Sequence, residues 1–248
     1  MSTSSPLEGT VSLVTGGGRG IGRASALALA RAGAAVAVAA RSLDQVEAVA
    51  EEIRAEGGRA LALQVDVTAA DQVQEMVKHT VTEFGGVHVM LCNAGGGLTS
   101  GRLIKSDPDE WANTIALNLT SVFHCAQAVL PVMSEQRSGK ILVMGSGTGH
   151  VPTPGSSAYS AAKAGVSQLV QVLAQEVWRD GVEVNEIVPG PVATELTKDN
   201  FTLGEAPAVS KMERVKAPDE VAELVLWLAT RPVAGPTGQV FSLARRAL

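Results

Sequence analysis

The only tyrosine of this 248-residue chain, Tyr159, stands four residues before Lys163 and thirteen after Ser146. The segment 157–179 reads as a helix, and positions four apart share a helix face. A phenol and an ammonium group are therefore expected side by side. A neighbouring cation favours phenolate, so the spacing predicts a phenol pKa below its reference value of about 10.

A second constellation lies near the N-terminus, where residues 15–22 read T-G-G-G-R-G-I-G between an apolar run and an alanine-rich helix. Glycines there permit a tight turn and let backbone N–H groups approach a pyrophosphate at the helix N-terminus. The spacing does not fit G-x-G-x-x-G, so the placement between strand and helix carries the inference. Gly16, Gly18, Arg19, Gly20 and Ile21 are the candidate contacts. The next apolar run ends Ala39-Ala40-Arg41-Ser42. An NAD site usually places Asp or Glu at that point to take the ribose 2′-hydroxyl. No acid is present, and Arg41, with Arg19 converging on it, is suited to a 2′-phosphate. NADP(H) is expected in preference to NAD(H).

Apolar runs of strand length recur at 10–14, 35–39, 60–65, 87–91, 140–144, 183–188 and 239–243. They are largely apolar, as strands covered on both faces should be. Helical-period segments fall between them at 21–32, 43–56, 69–84, 109–136, 157–179 and 218–230. Thr68 with Asp71 resembles a capping box, and Pro218-Asp219-Glu220 has the composition of a first helical turn. The alternation predicts an α/β fold: a doubly wound, seven-stranded parallel sheet with helices on both faces and ligands beyond the strands' carboxyl ends. No linker or repeat divides residues 1–248, so one domain is expected. The long irregular stretch 189–216 follows a strand's carboxyl end and is suited to a substrate-side lid.

Aromatics make up only 3% of the chain and the net charge is -5, which argues against stacking platforms and clustered cations for nucleic acid. Cys92 and Cys125 lack metal-ligand spacing and sit in apolar surroundings as buried free thiols; no metal site is expected. The start M-S-T-S-S-P lacks a secretory pattern, and the apolar stretch 24–40 is interrupted by Arg31 and Gly33. A soluble, cytoplasmic protein without membrane contact follows as the expectation.

Taken in order, these motifs resemble those of the short-chain dehydrogenase/reductases in their single-domain form. Beside the glycine loop stand Asp66-Val67, Cys92-Asn93-Ala94-Gly95, Asn118, Ser146, Tyr159-Ser-Ala-Ala-Lys163 and Pro189-Gly190. The resemblance covers almost the whole chain and is greatest to 3-oxoacyl-[acyl-carrier-protein] reductases and stand-alone ketoreductases. It implies a Rossmann fold and an NADPH-dependent carbonyl reductase that turns a ketone, including a 3-oxoacyl thioester or β-keto ester, into a secondary alcohol. Tyr159 would be the general acid. Lys163 would hold the nicotinamide ribose hydroxyls and lower the phenol pKa, and Ser146 would donate to the substrate oxygen. Asn118 would bind a water linking Lys163 to solvent.

The resemblance further implies that Ser42 lies at the 2′-phosphate end and that Asp66 and Val67 contact the adenine. Asn93, Ala94 and Gly95 would border the adenosine ribose. Pro189, Gly190, Val192 and Thr194 would border the nicotinamide. Gly96, Leu98, His150 and the turn 152–154 would shape the substrate pocket. A homo-oligomer, tetramer or dimer, is expected. Arg137 matches a basic position for carrier-protein docking, whereas the second such position is Asp180. Two alternatives remain: an NAD(P)-dependent polyol, sugar or secondary-alcohol dehydrogenase, and a dinucleotide-binding regulator without chemistry.

Overall fold

The computed structural model describes residues 5–97, 101–207, 211–232, 234–245 and 248. The apolar runs form β1 (Val11–Thr15), β2 (Ala35–Ala40), β3 (Ala60–Gln64), β4 (Val89–Cys92), β5 (Gly139–Met144), β6 (Val182–Val188) and β7 (Val240–Ser242). All pair in parallel, in the order β3-β2-β1-β4-β5-β6-β7. The expected doubly wound, seven-stranded sheet is present. Between the strands lie α1 (Gly20–Arg31), α2 (Leu43–Ala55), α3 (Ala70–Phe84), α4 (Pro108–Ile115), α5 (Ser121–Gln136), α6 (Ser157–Val177) and α7 (Pro218–Ala229).

Successive strand residues point to opposite faces, so each strand feeds two cores. Leu13, Ala37 and Ala39 pack into the core covered by α3, α5 and α6. Val14, Val36 and Val38 pack into the core covered by α1, α2 and α7. Side chains such as Leu13 and Leu29 are wholly buried, each contributing about 1.5–3 kcal/mol. The winding runs outward from β1 to β3, then returns to β4 and runs outward to β7. That reversal beside β1 opens a crevice at the carboxyl ends of the strands.

Two local expectations change. The helix expected over 109–136 is interrupted by a π-helical turn, Ala116–Thr120, between α4 and α5. Such turns insert one residue and reorient the side chains within them; Asn118 lies in this one. At the start of α3, Thr68 does not cap. Its N–H and hydroxyl instead donate to Asp66 Oδ1 at 2.9 and 2.7 Å, while Ala69 occupies the cap position. At α7 the expectation holds, with Pro218 in the first turn and Glu220 accepting the Ala217 N–H at 2.9 Å.

The apolar strand β6 carries two acids that need partners. Glu183 meets Lys140, its register neighbour on β5, at 2.6 Å, with both side chains under 10% exposed. Glu186 is wholly buried at the other end of the strand. Stretch 189–216 is held by its own main-chain bonds. Ala193 N–H donates to Lys216 O and Lys216 N–H to Pro191 O, at 2.9 and 3.0 Å. Among the described residues, one helical stretch, Pro108–Gln136, is long and apolar enough to cross a membrane. In the fold its α4 half packs on α6, and its α5 half on α3, β4 and β5.

Candidate active site at the carboxyl end of the sheet

β1 ends at Thr15, and the chain turns sharply through Gly16, whose φ of +63° favours glycine. The first turn of α1 packs so closely that a Cβ on Gly22 would overlap the Gly16 carbonyl and the Asn93 amide. Asn93 ties the strand ends together, donating from Nδ2 to Thr15 O and Gly16 O at 3.0 and 3.1 Å. Thr15 Oγ1 in turn accepts the N–H groups of Asn93 and Ala94. α1 starts without a side-chain cap, so its first-turn N–H groups keep their hydrogen-bonding capacity.

This framework borders a cleft of about 850 Å³. At one end lie Gly16, Gly18, Arg19, Gly20 and Ile21, with Arg41 and Ser42 from the end of β2. Asp66 and Val67 follow from the end of β3, and Asn93, Ala94, Gly95 and Gly96 from the end of β4. Asp66 is held below the ordinary aspartate range by the Thr68 N–H and hydroxyl, with Arg41 adding a smaller pull in the same direction. At the other end stand Ser146, Tyr159, Lys163, Pro189, Gly190, Val192 and Thr194.

The chemical end is built by β5, α6 and the turn between them. Ser146 follows β5, and its Oγ lies 3.1 Å from Thr148 Oγ1. Lys163 is buried and donates from Nζ to Met144 O at 2.8 Å. Its Nζ also lies 5.6 Å from the Tyr159 ring centroid. The expected lowering of the phenol pKa is not found. Burial pushes Tyr159 above its ordinary value, and the Ser146 side chain opposes that rise. Burial likewise lowers Lys163 to about 8, against the opposing pulls of Glu186 and Cys92. Desolvation dominates at both groups because both are withdrawn from water.

Asn118 stands behind the cleft, with its amide committed to the main chain. Nδ2 donates to Gly96 O and Thr114 O at 2.8 and 2.9 Å, and Oδ1 accepts Gly96 N–H at 3.1 Å. The side chain thus anchors the Gly95–Gly96 segment beside Lys163. His150 does not line the cleft; its Nε2 lies 3.0 Å from Glu186 Oε1, because the buried carboxylate draws the ring inward. Leu98 lies outside the described residues. Thr153 and Pro154 of the turn 152–154 do border the cleft, as do Leu196, Asn200 and Phe201 of stretch 189–216.

Sequence reasoning missed Gln45, which stands against Gly18 near Arg41, and Thr148 beside Ser146. Neither carries a signal in the sequence, since both are placed by helix and turn geometry. Glu186 did carry one: an acid inside a strand buried on both faces. Among the described residues no group of three or more His, Cys, Asp or Glu is placed to hold a metal.

The sequence model of the short chain dehydrogenase family matches residues 10–203. The chain belongs to the short-chain dehydrogenase/reductase family. Among curated relatives, a 3-oxoacyl-[acyl-carrier-protein] reductase of Synechocystis is 41% identical over 240 residues, covering 96% of each chain. A 3-oxoacyl-[acyl-carrier-protein] reductase FabG of Staphylococcus epidermidis is 40% identical over 237 residues, 92% of this chain and 94% of its own. A short-chain type dehydrogenase/reductase from Mycobacterium marinum superposes with a TM-score of 0.88 at 36% identity, covering 95% of this chain and 94% of the other. As a short-chain dehydrogenase/reductase, the protein is an oxidoreductase acting on CH–OH groups, of a family that binds NAD(P).

Proposed function

We propose that this short-chain dehydrogenase/reductase reduces a ketone to a secondary alcohol with NADPH, and that a 3-oxoacyl thioester or β-keto ester is its substrate class. The observation that carries this is the single cleft joining the Gly16–Ile21 turn and Arg41 at one end to Ser146, Tyr159 and Lys163 at the other. The residues fit a dinucleotide. Glycine at 22 permits the close approach of helix and turn, the uncapped α1 offers N–H groups, and the end of β2 offers arginine where a carboxylate would repel a 2′-phosphate. Gly16–Ile21 would hold the pyrophosphate, Arg19, Arg41 and Ser42 the 2′-phosphate, and Asp66 and Val67 the adenine. Asn93–Gly95 would border its ribose, Lys163 would hold the nicotinamide ribose, and Pro189, Gly190, Val192 and Thr194 would border the nicotinamide. When bound, the cofactor supplies a hydride.

The chain's own groups handle the oxygen. Ser146 donates a hydrogen bond to the carbonyl where negative charge grows. Tyr159 gives up its phenolic proton to that oxygen. The Lys163 ammonium stabilises the phenolate left behind and so lowers the cost of that transfer. Asn118 keeps the Gly95–Gly96 segment in place beside the amine. Leu196 and Phe201 of stretch 189–216 line the cleft and would exclude water from its substrate end.

Arg137 bears on how the substrate arrives. Its guanidinium lies 3.2 Å from Asp180 and donates to Arg179 O at 2.5 Å. The pair is exposed, so Arg137 is free to exchange Asp180 for an acidic partner, and comparing free with carrier-bound thioesters decides the delivery. Exposed Trp111, Phe123 and Val172 on α4, α5 and α6 support a homo-oligomer, to be read by sedimentation. The test of function is NADPH oxidation across acetoacetyl thioesters, free and carrier-bound, β-keto esters, aryl ketones and sugars. Turnover of a ketone class supports the proposal; oxidation of polyols with NAD alone would replace it.

A further inference from the structure

Buried Glu186 and half-buried His150 are titratable groups that the chemistry above leaves unused. Glu186 is 0% exposed on β6, opposite Val143 of β5 and Val240 of β7. Its Oε1 meets His150 Nε2 at 3.0 Å, and Oε2 has no hydrogen-bond partner among the described residues. The carboxylate occupies space that only a glycine at 145 leaves free, since a Cβ there would overlap Oε1. It thus sits under the residue before Ser146 while gripping His150, which follows the 3-10 turn Gly147–Gly149. Both ends of the segment that presents Ser146 rest on one buried side chain.

The same carboxylate packs against Gly145, next to Met144, whose carbonyl holds Lys163 Nζ at 2.8 Å, and its charge pulls the Lys163 pKa upward. A buried ammonium needs a counter-charge. Facing it are the Met144 carbonyl from β5, Cys92 from β4, Tyr159 from its own helix and Glu186 from β6. The Cys92 thiol is pushed well up by Cys125 and by burial, and Tyr159 is pushed up by burial, so both are neutral near pH 7. Of these groups, Glu186 supplies the negative charge.

Building on ketone reduction as the activity, we propose that Glu186 and His150 are positioning residues. Through His150, Glu186 fixes the segment that presents Ser146, and its charge keeps Lys163 an ammonium ion. Glu186→Gln preserves shape and the hydrogen bond to His150 while removing the charge. Nitrogen-15 lysine NMR, with the Lys163 signal assigned by its absence in Lys163→Met, reads the amine directly in wild type and variant. The expected result is a Lys163 midpoint about one pH unit lower in Glu186→Gln, the size one charge partner confers. The alkaline limb of kcat for the ketone moves with it. An unchanged midpoint in a folded Glu186→Gln overturns the charge role, and this readout stands even if no ketone is reduced, which would sink only the proposed activity. His150→Asn tests the other half and serves if Glu186→Gln does not fold. It is expected to lower kcat on the order of tenfold through misplacement of Ser146, with NADPH affinity by fluorescence and the Lys163 midpoint both retained. Undiminished kcat in folded His150→Asn overturns the positioning role.

Discussion

Lys163 stands beside Tyr159 with Nζ 5.6 Å from the ring centroid, while its hydrogen bond goes to the carbonyl of Met144 at 2.8 Å. The amine is therefore fixed from the sheet side, against the face of the phenol ring, and both groups share one desolvated corner of the cleft. Burial favours the uncharged form of each, against the Ser146 hydrogen bond at Tyr159 and the Glu186 and Cys92 charges at Lys163. Burial wins in both, leaving a neutral phenol and an amine that titrates near 8.

The pH dependence follows from that amine. With its pKa lowered to about 8, Lys163 is charged below that pH and neutral above it. The charge that supports the phenolate is lost as pH rises through about 8, so kcat for reduction is expected to fall on the alkaline side there. Linkage has its own sign. The unfolded lysine titrates near 10.5, so the unfolded chain binds more protons between about 8 and 10.5, and this group's contribution makes stability rise with pH across that window. Kinetics against pH, with denaturant unfolding alongside, check both directions.

Cofactor choice is expected to rest on Arg41. Arg41→Asp removes a cation from the end of β2 and adds a charge that repels a 2′-phosphate. NADPH affinity should drop on the order of tenfold to a hundredfold, with NADH affinity kept or improved. Fluorescence titration with both dinucleotides reads this, and equal NADPH binding by the variant and the wild type would remove Arg41 from the site.

Lys140 and Glu183 form a buried pair between register neighbours at the amino end of the sheet, remote from the cleft. Truncating one partner leaves the other charge buried. Glu183→Ala is expected to cost about 3–5 kcal/mol of stability. Urea unfolding measures it, and a loss below about 1 kcal/mol would show that the remaining lysine reaches water.

The fold was largely legible because its strands are apolar on both faces and the glycine turn follows the first of them. The site was legible where its residues lie in short motifs at strand ends, as Asn93 and Ser146 do. Other features depend on what the fold brings together. The capture of His150 by Glu186 requires the β5–β6 pairing and the turn after Ser146. The π-turn around Asn118 differs from regular helix by one residue in a continuous helical pattern. The direction of the Tyr159 shift depends on burial, which spacing alone does not report.

The central claim is that Tyr159 delivers the proton to the carbonyl oxygen. It is tested most directly by Tyr159→Phe, following ketone reduction in a single turnover while NADPH binding is measured by fluorescence. The predicted result is unchanged binding with a rate reduced at least about a hundredfold, because the ring keeps its shape and loses its proton. A variant that binds NADPH normally and still reduces the ketone near the wild-type rate would contradict it.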